Sequence, residues 1–330
     1  MELQNEQWNE QWIAYSFAKI NLGLRLVERL PNGYHTLETG FAYLEWSDRF
    51  EVTPAFRGVG DLEGGMGSEG AEGAEGAEGA ESAEGAETGE FLLEILDSEV
   101  PADESNLITR AYRAFEEAVG LQRHYHFRVN KRIPAGAGLG GGSSNAALTL
   151  RILNECEGAE LPMEKLAEIG SELGADVPFF LSGKTAIGRG TGTDLEEADI
   201  QPDGWIVTVW PGFASSTAEA YRYCEVQPDP GYSITDVLLN DPLPEWQNLL
   251  MNDLEAAVIP RHEMVGHLKD QLLDLGADYA AMSGSGSSVF GIFEYDFVAI
   301  QAYESFHKLG FAVNLTRPRF VPDIGIYRAG

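Results

Sequence analysis

Five glycines and two serines fall within nine positions of Ile133-Pro-Ala-Gly-Ala-Gly-Leu-Gly-Gly-Gly-Ser-Ser-Asn-Ala-Ala147. Such a run suits a phosphate: glycine lets the backbone approach an anion closely and takes up positive φ at no steric cost. The residues after it read as a helix, whose first turn offers free N–H groups and the positive end of a dipole. Ser143 and Ser144 are placed to cap that helix, or to offer hydroxyls to a phosphate or to a metal bound to it. Gly136-Ala-Gly138-Leu-Gly-Gly141 fits the dinucleotide pattern G-x-G-x-x-G, but that pattern belongs near the start of its domain, and here more than a hundred residues precede it. A G-K-T triplet, Gly183-Lys184-Thr185, lies elsewhere with Pro178 where the first glycine of a P-loop would stand, so it is a chance match.

Elements must position this loop. Tyr125, Phe127 and Val129 alternate with polar residues as in a strand, while Ala146, Leu150 and Leu153 lie on one helical face, giving strand, glycine loop, helix. Leu22, Leu24 and Leu26 mark an earlier strand with Lys19 at its start, read from local sequence as a solvated edge charge. Pro31-Asn32-Gly33 is turn chemistry leading into Tyr34-His35 and a further strand. A helix begins at Asn106, with Ser105 or Asn106 as its cap, and another spans Met163 to Leu173 and stops at Gly174. Asp176 reads as the cap of a short turn near Pro178. Lys131 and Arg132 either flank the loop or face solvent. Beyond residue 200 the expected order is a strand Trp205–Trp210, helices over 217–223, 249–258 and 262–275, two strands around Ser283-Gly-Ser-Gly-Ser-Ser288, a helix 297–308 and a last strand 311–315. Helices on one antiparallel sheet make an α+β layer.

At 330 residues with 44% hydrophobic content, the chain is long enough for two domains, expected at 1–200 and 201–330. Residues 58–90 interrupt the first with Gly-Ala-Glu triplets that bury nothing, the composition of a disordered acidic insert. The net charge is −31, and without the ten carboxylates of residues 61–90 the rest still carries −21. Only six of the 22 basic residues are lysine, a balance that suits a salt-rich cytoplasm. It argues against nucleic-acid binding. No apolar run approaches a membrane span, the first residues are acidic and polar, and Cys156 and Cys224 form no metal-spaced pair, so a cytoplasmic chain with free thiols is expected.

The run P-x-x-x-G-L-G-G-G-S-S-N-A-A resembles the second motif of the GHMP kinases, the family of galactokinase, homoserine kinase and mevalonate kinase. The resemblance implies a two-domain α+β fold: a first domain like domain 2 of ribosomal protein S5, then a ferredoxin-like α+β domain. It implies ATP with Mg²⁺, and a nucleotide site made by Pro134, Ala135, Gly136, Ala137, Gly138, Leu139, Gly140, Gly141, Gly142, Ser143 and Ser144, with Asn106 near the adenosine. The metal ligands are not readable. Three further segments, Ala18-Lys-Ile-Asn-Leu22, Gly33-Tyr34-His35 and Gly174-Ala-Asp-Val-Pro178, resemble one branch whose small-molecule substrate is cytidine diphosphate methylerythritol. By that resemblance Lys19 and Asp176 are catalytic, Asn21, Tyr34 and His35 bind substrate, and Tyr221 forms a second aromatic wall for the base. The turn at residues 283–288 resembles the third family motif, which packs on the phosphate loop. Another GHMP kinase, acting on mevalonate or homoserine, would keep the glycine loop without the Tyr34-His35 reader, and an idle nucleotide binder would take up ATP without turnover.

Two outcomes are expected. Deleting residues 60–89 leaves phosphoryl transfer largely intact in a coupled ADP assay, and loss of activity would give the insert a place in the site. Thermal stability falls when salt is removed, and full stability in dilute buffer would refute the salt-adapted reading.

Overall fold

A computed structural model describes residues 11–56 and 91–329. The expected disorder of the acidic insert lies outside the described residues. The first layer contains β1 (Gln11–Arg29), β2 (His35–Phe56), β3 (Leu92–Leu96), α1 (Leu107–Val119), β4 (Arg123–Asn130), α2 (Gly141–Cys156), α3 (Met163–Leu173), α4 (Val177–Ser182), β5 (Ala186–Arg189) and β6 (Asp194–Glu197). The second contains β7 (Trp205–Trp210), α5 (Thr217–Tyr223), α6 (Ile234–Asn240), α7 (Trp246–Leu249), α8 (Glu255–Val258), α9 (Glu263–Asp274), β8 (Tyr279–Met282), β9 (Val289–Phe293), α10 (Asp296–Lys308) and β10 (Ala312–Thr316). A final strand, β11 (Ile326–Ala329), returns to pair with β1. The first sheet runs β11-β1-β2-β4-β3 with β5 and β6 extending from β2, and the second runs β10-β7-β9-β8 with every pair antiparallel.

β1 shows why this arrangement yields a buried site. From Gln11 to Phe17 its residues alternate between buried and half-buried, as in a strand covered on one face. From Ala18 to Leu24 every residue is buried, because Ile20 and Leu22 now pack with Ile206, Phe290 and Ile292 of the second sheet. Lys19 and Asn21 lie in this doubly covered stretch and are buried, not a solvated edge as local sequence reads. The β1–β2 register shifts between Phe17 and Lys19 and again between Leu22 and Leu24, where Gly23 takes φ +66°. Bulges of this kind re-aim side chains beside functional sites. At the first shift the Lys19 N–H donates to the Leu139 carbonyl of the glycine loop at 3.0 Å.

One expected element is corrected. The helix expected over 249–258 is broken into α7 and α8, because the intervening chain docks on β1. Leu24 N–H donates to Met251 O at 2.9 Å, Asp253 N–H donates to Leu24 O at 2.8 Å, and Leu26 N–H donates to the Asp253 carboxylate at 2.7 Å. Asn252, between them, donates its side-chain amide to the carbonyls of Met282 and Gly284, both at 2.8 Å. These long-range bonds outweigh the local helical pattern.

Beneath the glycine loop lies Asp48, fully buried on β2. Its carboxylate accepts from Arg132 N–H at 2.7 Å, Ile133 N–H at 2.8 Å, Lys131 Nζ at 2.8 Å and Asn145 Nδ2 at 2.8 Å. Lys131 therefore neither faces solvent nor stands free beside the loop; it is buried and ion-paired, and it also donates to Ile133 O at 2.5 Å. Arg132 turns outward to Asn130. Asp48→Ala strands a buried ammonium and two backbone donors, so urea unfolding is expected to show a loss of about 3–5 kcal/mol. A loss under about 0.5 kcal/mol, the range of an ordinary surface change, would show that the network carries no weight.

Candidate active site

The loop's conformation is fixed by glycine. Gly136, Gly138 and Gly140 have φ of +63°, +77° and +68°. A Cβ on Gly138 would run into the Ser283 carbonyl, and one on Gly140 would lie 2.7 Å from the Phe180 ring. The loop carbonyls are turned back into the protein. Gly136 O accepts from Ser215 N–H, Ala137 O from Ser288 N–H and Leu139 O from Lys19 N–H, each at 3.0 Å. Gly138 O accepts from Lys19 Nζ at 3.0 Å and from Ser283 Oγ at 2.9 Å. Thus the 283–288 turn docks on the loop as its resemblance implied. Gly140 is the N-cap of α2, with no side-chain cap. Ser143 and Ser144 are therefore not caps: they sit inside the first turn, where Ser144 N–H already donates to Gly140 O at 2.9 Å. The first-turn N–H groups before it have no partner within the helix and stay available to an anion.

Lys19 and Asp176 meet at the edge of this loop. Lys19 Nζ stands 2.6 Å from Asn21 Oδ1 and 3.7 Å from Asp176 Oδ2. Asn21 is held in turn by Thr39, to whose hydroxyl its amide donates at 3.0 Å. Asp176 occupies the N-cap position of α4 yet makes no capping bond, so its carboxylate is free to face Lys19. Burial pulls the Lys19 pKa below the ordinary lysine value, while the charge of Asp176 acts in the opposite direction.

His35 and Tyr221 form a further wall. Their rings stack at 5.8 Å between centroids, and the buried His35 Nδ1 has no hydrogen-bond partner, an unmet bond that a ligand could complete. Burial, then the charge of Arg29, holds His35 below the usual imidazole pKa, so it is neutral at pH 7. Burial and the nearby Asp176 charge push the Tyr221 hydroxyl up to about 12. Tyr34 is exposed at the cleft mouth, at 67%. Asn106 caps α1, accepting from Ile108 N–H at 2.9 Å and donating to Pro101 O at 2.6 Å.

One cleft of about 1110 Å³ is lined by every site residue named from the sequence except Ser144, which is buried. Sequence reasoning missed Thr39 and Asn145, which line the cleft, and Asp48 and Asn252, which support it from behind. Their signal was faint, because each stands beside other polar residues, as Asp48 does between Ser47 and Arg49, and nothing local sets it apart. No group of three or more His, Cys, Asp or Glu side chains poised to hold a metal occurs among the described residues.

Residues 106–184 match the family model described as GHMP kinases N terminal domain, and residues 238–311 match GHMP kinases C terminal. The fold and the cleft thus define a GHMP-type kinase. Two curated relatives, from Chloroherpeton thalassium and Chlorobium phaeobacteroides strain BS1, carry the name 4-diphosphocytidyl-2-C-methyl-D-erythritol kinase. The first is 37% identical over 299 residues, covering 89% of this chain and 93% of its own. The second is 38% identical over 311 residues, covering 92% and 96%. The chain belongs to this kinase family. A crystal structure of 4-(cytidine 5'-diphospho)-2C-methyl-D-erythritol kinase aligns with a TM-score of 0.70 at 29% identity, over 92% of this chain and 98% of that one. Homoserine kinase from Cytophaga hutchinsonii aligns at 0.63 with 15% identity over the whole of both chains, a likeness of fold alone. No helix among the described residues is long and apolar enough to cross a membrane.

Proposed function

We propose that the chain transfers the γ-phosphoryl group of ATP to the tertiary 2-position hydroxyl of 4-diphosphocytidyl-2-C-methyl-D-erythritol. The observation that carries this reading is Lys19 Nζ, within 3.0 Å of the Gly138 carbonyl and 3.7 Å of Asp176, which joins the phosphate loop to a carboxylate in one cleft. The first turn of α2 holds the phosphates by backbone N–H groups. Asp176 accepts the proton of the acceptor hydroxyl as that oxygen bonds to the γ-phosphorus, and the bond to the bridging oxygen breaks to release ADP. Lys19 orients the carboxylate and offsets the charge on the transferred group. His35 and Tyr221 receive the cytosine, one reading its polar edge and the other stacking on its face. Asn21, held by Thr39, lies beside the acceptor, Tyr34 closes the mouth, and Asn106 flanks the adenosine.

A single carboxylate, Asp176, and the Ser143 hydroxyl on the cleft wall fit a magnesium ion bound chiefly by phosphate oxygens and water. When bound, Mg²⁺ neutralises phosphate charge. We also propose a reducing, cytoplasmic setting, which the unbridged thiol of buried Cys224 supports.

A coupled ADP assay with CDP-methylerythritol, mevalonate and homoserine tests the reading, and turnover is expected with the first alone. Turnover confined to either of the others, or ATP binding with no acceptor-dependent ADP release, would overturn it. Asp176→Ala and Lys19→Ala are each expected to lower kcat by about 10²- to 10⁴-fold while ATP still binds. Near-normal turnover would remove that residue from the scheme. Because burial lowers the Lys19 pKa, kcat should decline with rising pH before the ordinary lysine value of 10.5 is reached.

A further inference from the structure

Four cations line the cleft: Lys19, Arg29, Lys131 and Arg222. Two are committed, Lys19 beside Asp176 and Lys131 to Asp48. Neither Arg29 nor Arg222 has a carboxylate in ion-pair reach among the described residues, and both are exposed. By contrast, in a chain with 53 acidic and 22 basic residues, Arg25, Arg49, Arg113, Arg128, Arg189 and Arg319 are each ion-paired.

Their placement is also specific. Arg29, the last residue of β1, stands directly opposite His35, the first of β2, and residues so paired share one face of the sheet. Arg222 follows Tyr221 in the last turn of α5. The stacked His35–Tyr221 pair is therefore flanked by two uncommitted guanidinium groups. The charge of Arg29 is felt at His35. A planar guanidinium fork matches phosphate oxygens in a way that a point charge does not.

We infer that Arg29 and Arg222 bind the diphosphate bridge of the acceptor and make the site select a nucleoside diphosphate conjugate over the corresponding nucleoside. The inference rests on the proposed seating of the base at His35 and Tyr221. The two arginines offset locally the repulsion that a chain of net charge −31 exerts on a dianion.

The test is calorimetric titration with CDP and with cytidine, the nucleotide loop being saturated with ADP. Wild-type protein should bind CDP more tightly than cytidine. Arg29→Ala and Arg222→Ala should each weaken CDP by about tenfold, the scale of one charge-assisted hydrogen bond, while the affinity for cytidine holds. Arg222→Lys should recover part of the loss, and Lys308→Ala, which removes a charge on α10, should change neither affinity. In turnover the arginine variants should lose chiefly through the KM of the acceptor. Equal losses for CDP and cytidine, or no loss for CDP, would overturn the inference. CDP-selective binding by a protein that fails to phosphorylate the acceptor would sink the proposed reaction and leave the diphosphate site standing.

Discussion

The site depends on one buried ammonium. Lys19 is 3% exposed, and a charge so far from water is tolerated only with oxygen partners around it. Those partners come from three places: Asn21 on its own strand, the Gly138 carbonyl of the glycine loop, and Asp176 at the start of α4. Two of the three β1–β2 register shifts flank the segment that carries Lys19 and Asn21. The cation is satisfied only when strand, loop and helix are assembled together, so the contact that equips the cleft also ties three parts of the chain to one geometry.

The glycine loop is organised by the same logic from the other side. A flexible run of glycines would lose much entropy on gripping a phosphate. Here the carbonyls of four successive residues, Gly136 to Leu139, are each engaged by donors from β1, the segment before α5 or the 283–288 turn. Asp48 anchors the strand end that leads into the loop. The conformation is thus set during folding, leaving little reorganisation for the moment of binding.

This division explains what could be read from the sequence. The glycine loop, the cap at Asn106, α3 and its stop at Gly174, and α5 follow local rules, and the chain obeys them at those places. Lys19 and Asp176 were named through motif resemblance, since by local sequence each had a bland reading: a solvated edge charge and a helix cap. The structure departs from both, because Lys19 is covered by the second sheet and Asp176 leaves α4 uncapped. The broken helix at 250–254, the return of β11 to β1 and the burial of Lys131 were illegible for one reason. Each is decided by a partner far along the chain, at Leu24, Gln11–Ala14 and Asp48 respectively, and local periodicity carries no record of such partners.

A strongly acidic chain that handles polyphosphates must keep its few cations where they count. Several surface arginines are neutralised by neighbouring carboxylates, as Arg319 is by Asp199 and Asp203, and so contribute little field at a distance. Positive potential then arises from groups whose charge is not cancelled locally: the N-terminal turn of α2, the Lys19 ammonium shared with only one half-exposed carboxylate, and the free guanidinium groups at the cleft mouth. Without a P-loop lysine, the loop cannot bring its own cation to the phosphates. In the proposed reaction Lys19 fills that place from another strand, and because it is bound to the loop and faces Asp176, any displacement of the glycine loop also displaces the proposed proton acceptor. In that scheme nucleotide binding and proton transfer are coupled through a single side chain.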